Sequence, residues 1–208
     1  VGSEMCIRDS CDTDTHRRRF KTKLISMGMC GYDRVIVEPS GIYDVDEFFD
    51  TLYEEPLDGW YQIGNVITVL DSNLEDDLPE GAEFLLASQA ANAGCVVLSK
   101  TQETTEEEQK NAVSHLNRSL KNIGCKRQFD EVFTKDWDKL TDEDFKQLLS
   151  CGYHMENYRK PDQTQEKTFQ SLYFMNMHLT EKKLREAAKK LFLDKSCGKI
   201  FRIKGFMK

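Results

Sequence analysis

The stretch VITVLDSNLEDDLPEGAEFLLASQAANAGCVVLSK, Val66 to Lys100, carries the reading of the fold. It opens on a strand-forming run, Val66-Ile67-Thr68-Val69-Leu70, and ends on a second, Cys95-Val96-Val97-Leu98. Between them lie an acidic loop and an apolar helix expected around Glu83 to Ala93, which Gly94 stops. Strand, helix and strand in so short a span make a βαβ unit. The two apolar runs are continuous rather than alternating, which implies strands covered on both faces and hence a parallel sheet flanked by helices. The expected class is α/β, a doubly wound parallel sheet.

Working outward, Thr105 and Glu108 form a capping-box pattern that opens a helix bearing Val113, Leu116 and Leu120. A short run at Glu131 to Phe133 reads as an edge strand, and Thr141 with Asp144 caps a helix carrying Phe145, Leu148 and Leu149. On the other side, Val35-Ile36-Val37 lies between Gly31 and Pro39-Ser40-Gly41, which predicts a short buried strand from Arg34 to Glu38 ending in a tight turn. Asp44 then caps a helix with Val45, Phe48, Phe49 and Leu52 on one face, closed by Glu55-Pro56.

Residues 154–168 are polar around Arg159-Lys160-Pro161-Asp162 and read as a linker between domains 11–153 and 169–208. In the second, a strand over Phe169 to Leu179, a basic helix capped by Thr180 with Leu184, Ala188 and Leu191 inward, and a strand over Lys199 to Phe206 make a small α+β (βαβ) unit. Residues 1–10 have no helical or strand period and no signal-peptide character, and resemble translated adapter read-through. Natural sequence is expected to begin near Cys11, with both ends incomplete.

Acidic residues number 36 against 29 basic ones, a net charge of -7 without a basic face, which argues against a nucleic-acid partner. The longest apolar runs fall far short of the roughly 20 residues that cross a bilayer. Seven scattered cysteines without a CxxC pair read as reduced thiols of a cytoplasmic protein. The basic segment Asp14 to Lys23 reads as a solvated helix face.

In doubly wound sheets ligands bind beyond the carboxyl ends of the strands, which singles out Glu38, Asp71 and Ser99-Lys100. A carboxylate there can orient an attacking water, and Gly41 would let a phosphate approach the backbone. The alternative for Glu38 is a solvated residue in a plain turn.

These positions resemble the CobW/HypB/UreG group of P-loop GTPases. Asp33-Arg34-Val35-Ile36-Val37-Glu38-Pro39-Ser40-Gly41 is similar to that group's Glu-x-x-Gly switch segment, and Val66 to Asp71 to its next strand. Cys95-Val96-Val97-Leu98-Ser99-Lys100-Thr101-Gln102 stands where the group has its guanine-recognition loop, usually Asn-Lys-x-Asp. Gly198 to Phe206 resembles its C-terminal Arg-x-Lys-Gly strand.

The resemblance implies GTP with Mg2+, hydrolysis coupled to delivery of zinc or cobalt (Zn2+ or Co2+) to a metalloprotein client, Glu38 as the catalytic residue, and Gly41, Ser99, Lys100 and Gln102 at the nucleotide. Three departures stand out. Gln102 replaces the Asp whose carboxylate accepts two hydrogen bonds from guanine, and an amide offers one acceptor beside an unwanted donor. The phosphate loop Gly-x-x-x-x-Gly-Lys-Ser/Thr and the Cys-x-Cys-Cys metal motif are both absent from the sequence. The second function this allows is a non-catalytic, GTPase-like binding scaffold. Two close Cys/His pairs, Cys11 with His16 and Cys151 with His154, fall short of the four ligands of a closed zinc site.

Overall fold

The computed structural model describes residues 13–39, 41, 43, 45–160, 179–198, 200 and 203. Packing divides the chain into a first unit, Val1–Thr168, and a second, Phe169–Lys208. In the first unit the order is α1 (Thr13–Met29), α2 (Val45–Leu52), α3 (Leu57–Trp60), β1 (Ile67–Asp71), α4 (Glu80–Ala91), β2 (Cys95–Ser99), α5 (Glu106–Asn122) and α6 (Asp142–Leu148).

The two strands run parallel, with Ile67 opposite Cys95 and Asp71 opposite Ser99. Beside β2, Phe133 makes a single parallel bridge to Val97: its N–H donates to the Val96 carbonyl (2.9 Å) and its own carbonyl accepts from Leu98 (2.8 Å). The edge strand expected at 131–133 is thus one bridge long. The βαβ unit read from Val66 to Lys100 is present.

Helices α4 and α5 pack together over this sheet. Ala87, Ala90 and Ala91 are fully buried, and side chains this small let α4 approach Leu70, Val96 and Leu98 closely. Leu116 and Leu120 of α5 complete the same cluster. The Thr105–Glu108 capping box forms, and Glu106, Glu107 and Glu108 place negative charge at the positive end of the helix dipole. Between the two helices the buried His115 meets Glu83 through Nε2 at 2.5 Å, and the Ser119 hydroxyl donates to the same carboxylate. One carboxylate bridging two buried polar groups fixes how the helices sit against each other.

Two expectations fail. Among the described residues β1 is covered on one face only: Thr68 and Leu70 are buried, as are Val96 and Leu98 of β2, whereas Val69 is 66% and Ile67 38% exposed on the other face. Helices α1 and α2 meet through Phe20 and Phe48, 5.4 Å apart between ring centroids, while Phe49 stacks on Tyr153 at 6.0 Å. The strand expected at Arg34 to Glu38 is also missing. Residues 34–39 are irregular, Ile36 is 82% exposed, and among the described residues no backbone hydrogen bond reaches them. Val-Ile-Val is a strand only if another strand lies alongside it.

Helix α2 begins at Val45 as expected, but its expected cap Asp44 lies outside the described residues. The second unit contains α7 (Glu181–Leu193), where the Thr180 side chain caps the Lys183 N–H as anticipated. Leu184 and Ala188 are half-buried and Leu191 is exposed. The two strands expected to flank α7 lie outside the described residues, apart from Leu179, Ile200 and Ile203, which are in no strand.

Candidate functional site

Because β1 and β2 are parallel and in register, the loops that leave them start side by side at the carboxyl edge of the sheet. The Ser72 N–H donates to the Ser99 carbonyl (3.0 Å) and joins the two loops. Lys100 forms an ion pair with the Asp71 carboxylate, whose Oδ1 also accepts from the Asn73 N–H (3.0 Å). That carboxylate holds the Lys100 ammonium above its ordinary pKa.

Lys100 has φ 61° and ψ 28°, a left-handed conformation that no other non-glycine residue adopts among the described residues. Such a residue costs roughly 1–3 kcal/mol unless its surroundings hold it there, and strain of this kind gathers at functional loops. Here it turns the chain from β2 directly into a tight helical turn, Thr101–Glu103.

The turn is anchored from below. Thr101 is buried, and its hydroxyl donates to Asp136 Oδ1 (2.8 Å), while Lys139 Nζ donates to Asp136 Oδ2 (2.5 Å). Lys139 first, and Thr101 second, keep the Asp136 carboxyl below its ordinary pKa. The Thr104 hydroxyl donates to Ser72 Oγ (2.9 Å), and the Gln109 amide donates to the Thr101 carbonyl (3.2 Å). Gln102 itself is exposed at the tip.

Ser99, Lys100 and Gln102 therefore share one loop, as the sequence suggested. Gly41 is held elsewhere: its carbonyl accepts from Gln89 Nε2 (2.8 Å) in the last turn of α4. The Gln89 carbonyl in turn accepts from the Thr68 hydroxyl (2.9 Å), near the start of β1. Helix α4 runs back from the carboxyl edge, so Gly41 docks toward the opposite end of the sheet from Lys100. Glu38 is exposed, and among the described residues no hydrogen bond or ion pair joins it to the Lys100 loop.

The sequence reading missed Asp136, Thr101, Thr104 and Ser72. Asp136 lies three residues beyond Phe133, so the rule of a polar residue just after an apolar run would have reached Thr134 first.

Among the described residues no group of three or more His, Cys, Asp or Glu side chains is arranged to hold a metal ion. Among the described residues the donors do not make a magnesium site: Asp71 is paired with Lys100, and no other carboxylate is arranged with Glu38 to hold a metal. No helix among the described residues is long and apolar enough to cross a membrane.

The family description CobW/HypB/UreG, nucleotide-binding domain, fits residues 9–129, more than half of the 208-residue chain. The chain belongs to the CobW/HypB/UreG family. The CobW/HypB/UreG match spans β1, α4, β2 and α5 and so includes the Lys100 loop, and it assigns this region to an α/β nucleotide-binding domain of the P-loop type. It ends at Phe129, before Asp136. No curated protein and no solved structure gives a significant match.

Proposed function

We propose that the loop from Ser99 to Glu103 holds the base of a guanine nucleotide, with the aliphatic stem of Lys100 lying against the purine ring. The observation that carries this reading is the strained Lys100 at the carboxyl edge of a parallel β-pair, within the part of the chain that matches a nucleotide-binding domain. Strand-end loops are where open α/β sheets take nucleotides, since the loops diverge there and expose backbone and side-chain donors. The Asp71–Lys100 pair and the Ser72–Ser99 hydrogen bond hold the two strand-end loops together before a ligand arrives.

In a cytoplasmic protein where a phosphate loop precedes this chain, we assign hydrolysis of GTP, with Glu38 orienting the attacking water and Gly41 beside the phosphates. This activity serves delivery of zinc or cobalt to a metalloprotein client. For that role the 34–41 segment would have to leave its position on Gln89. The second reading, a non-catalytic scaffold that binds nucleotide without hydrolysing it, draws on Gln102 at the recognition position and on the absent Cys-x-Cys-Cys motif.

Lys100→Ala separates a nucleotide loop from a structural turn. Titration of GMP into the chain is expected to show affinity lowered about tenfold, as for loss of a cationic stem packed on an aromatic ring. Unchanged affinity would reduce the loop to a connection. In the protein with a phosphate loop, Glu38→Ala is expected to lower turnover and leave nucleotide affinity within severalfold. Equal turnover in the two proteins would favour the scaffold.

A further inference from the structure

Gln102 leaves the recognition position without a carboxylate, yet the structure ties one to the neighbouring Thr101. The parallel bridge of Val97 to Phe133 fixes the register of the third segment against β2. Counting two residues forward on each side brings Ser99 level with Lys135, and one more brings Lys100 level with Asp136. The Thr101 hydroxyl confirms the placement by donating to Asp136 Oδ1 at 2.8 Å. Asp136 thus lies at the same edge as Lys100, on a neighbouring loop.

We propose that Asp136 is the specificity-determining residue of this site and supplies the carboxylate that accepts from the base, in place of the one missing at Gln102. The inference rests on the nucleotide-loop reading above and names what that loop recognises: the edge of a purine that carries two adjacent N–H donors, as guanine does and adenine does not. An ionised carboxylate has about four acceptor positions. Thr101 uses one on Oδ1 and Lys139 one on Oδ2, which leaves one on each oxygen for a pair of parallel donors. The same two partners keep the group ionised, and it stays accessible, with 22% of its side chain exposed. The anchored Thr101 prevents the carboxylate from swinging away, so little ordering remains to be done on binding. Trp137, next in the chain and 74% exposed, offers an indole at the same edge.

The test is carried out on the full chain with GMP and AMP, following fluorescence in a Trp60→Phe background, since Trp60 and Trp137 are the only two tryptophans. GMP is expected to quench Trp137 and to bind more tightly than AMP. Asp136→Asn keeps an oxygen for Thr101 but turns an amide donor toward the donors of guanine. It is expected to weaken GMP about ten- to hundredfold while leaving AMP within about threefold. An unchanged thermal midpoint for Asp136→Asn shows that the loop still folds, and the preference of Lys135→Met, a nearby charge change, is expected to match that of the parent.

If GMP binds, Lys100→Ala weakens it, and Asp136→Asn keeps the preference for GMP, Asp136 is overturned and the nucleotide loop stands. If neither nucleotide binds, or Lys100→Ala changes nothing, the loop reading fails and this inference fails with it.

Discussion

Asp144 shows how much a single well-placed carboxylate does in this chain. Its Oδ2 accepts from Lys135 Nζ (2.5 Å), from the Thr141 hydroxyl (2.6 Å) and from the Thr141 N–H (2.7 Å). Lys135 first, then the two Thr141 bonds, lower its pKa from 3.8 to about 2. A folded-state pKa below the unfolded one means stabilisation that is complete above about pH 4 and disappears as pH falls through about 2. NMR titration of the Asp144 side chain is expected to show a midpoint near 2, and Lys135→Met is expected to raise it. An ordinary midpoint in the parent chain would mean that the three bonds are not populated in solution. The pattern Thr141-x-x-Asp144 was readable from sequence alone, because a capping box is written in four consecutive residues. The Thr101–Asp136 bond was not, because it joins residues 35 positions apart through a bridge of a single residue.

At the scale of elements the same contrast holds. Helices α5 and α6 begin where their capping boxes place them, and α4, expected around Glu83 to Ala93, runs from Glu80 to Ala91, since the signals for a helix are local. Strands are only half local. Val66 to Leu70 and Val35 to Val37 look alike as sequence, but the first finds β2 alongside and the second finds no partner strand among the described residues. A continuous apolar run records which faces tolerate burial, and cannot say whether this chain supplies the cover. The site divides likewise: Ser99, Lys100 and Gln102 were legible as one loop after β2, whereas the docking of Gly41 on Gln89 depends on a contact 48 residues away in sequence. The uncovered face makes a paired prediction. Val96→Thr places a hydroxyl at a site 1% exposed and is expected to cost about 1–3 kcal/mol. Val69→Thr, at 66% exposed, is expected to stay within about 0.5 kcal/mol of the parent. Chemical denaturation of both variants decides the matter: equal losses would mean that Val69 is covered in solution.

For the whole molecule the balance of charge and motif bears on affinity. The chain carries a net charge of -7 and contains no Gly-x-x-x-x-Gly-Lys-Ser/Thr. Phosphates would therefore meet a repulsive average field, without the cradle of amides and lysine that normally offsets it. The basic cluster on α1 does not replace that cradle, because Arg17 and Lys21 are both paired with Glu54. What the carboxyl edge does offer, Lys100, Thr101 and Asp136, suits a base rather than a polyphosphate. Affinity in this chain is consequently expected to be set by the base alone. GMP, GDP and GTP should bind within about threefold of one another, with little gain from magnesium, since each added phosphate brings charge but no new donor. Calorimetric titration of the three nucleotides at one ionic strength checks this. If GTP binds more than about tenfold tighter than GMP, the chain holds phosphates by a route other than the P-loop, and the basic face of α1 would be the first place to substitute.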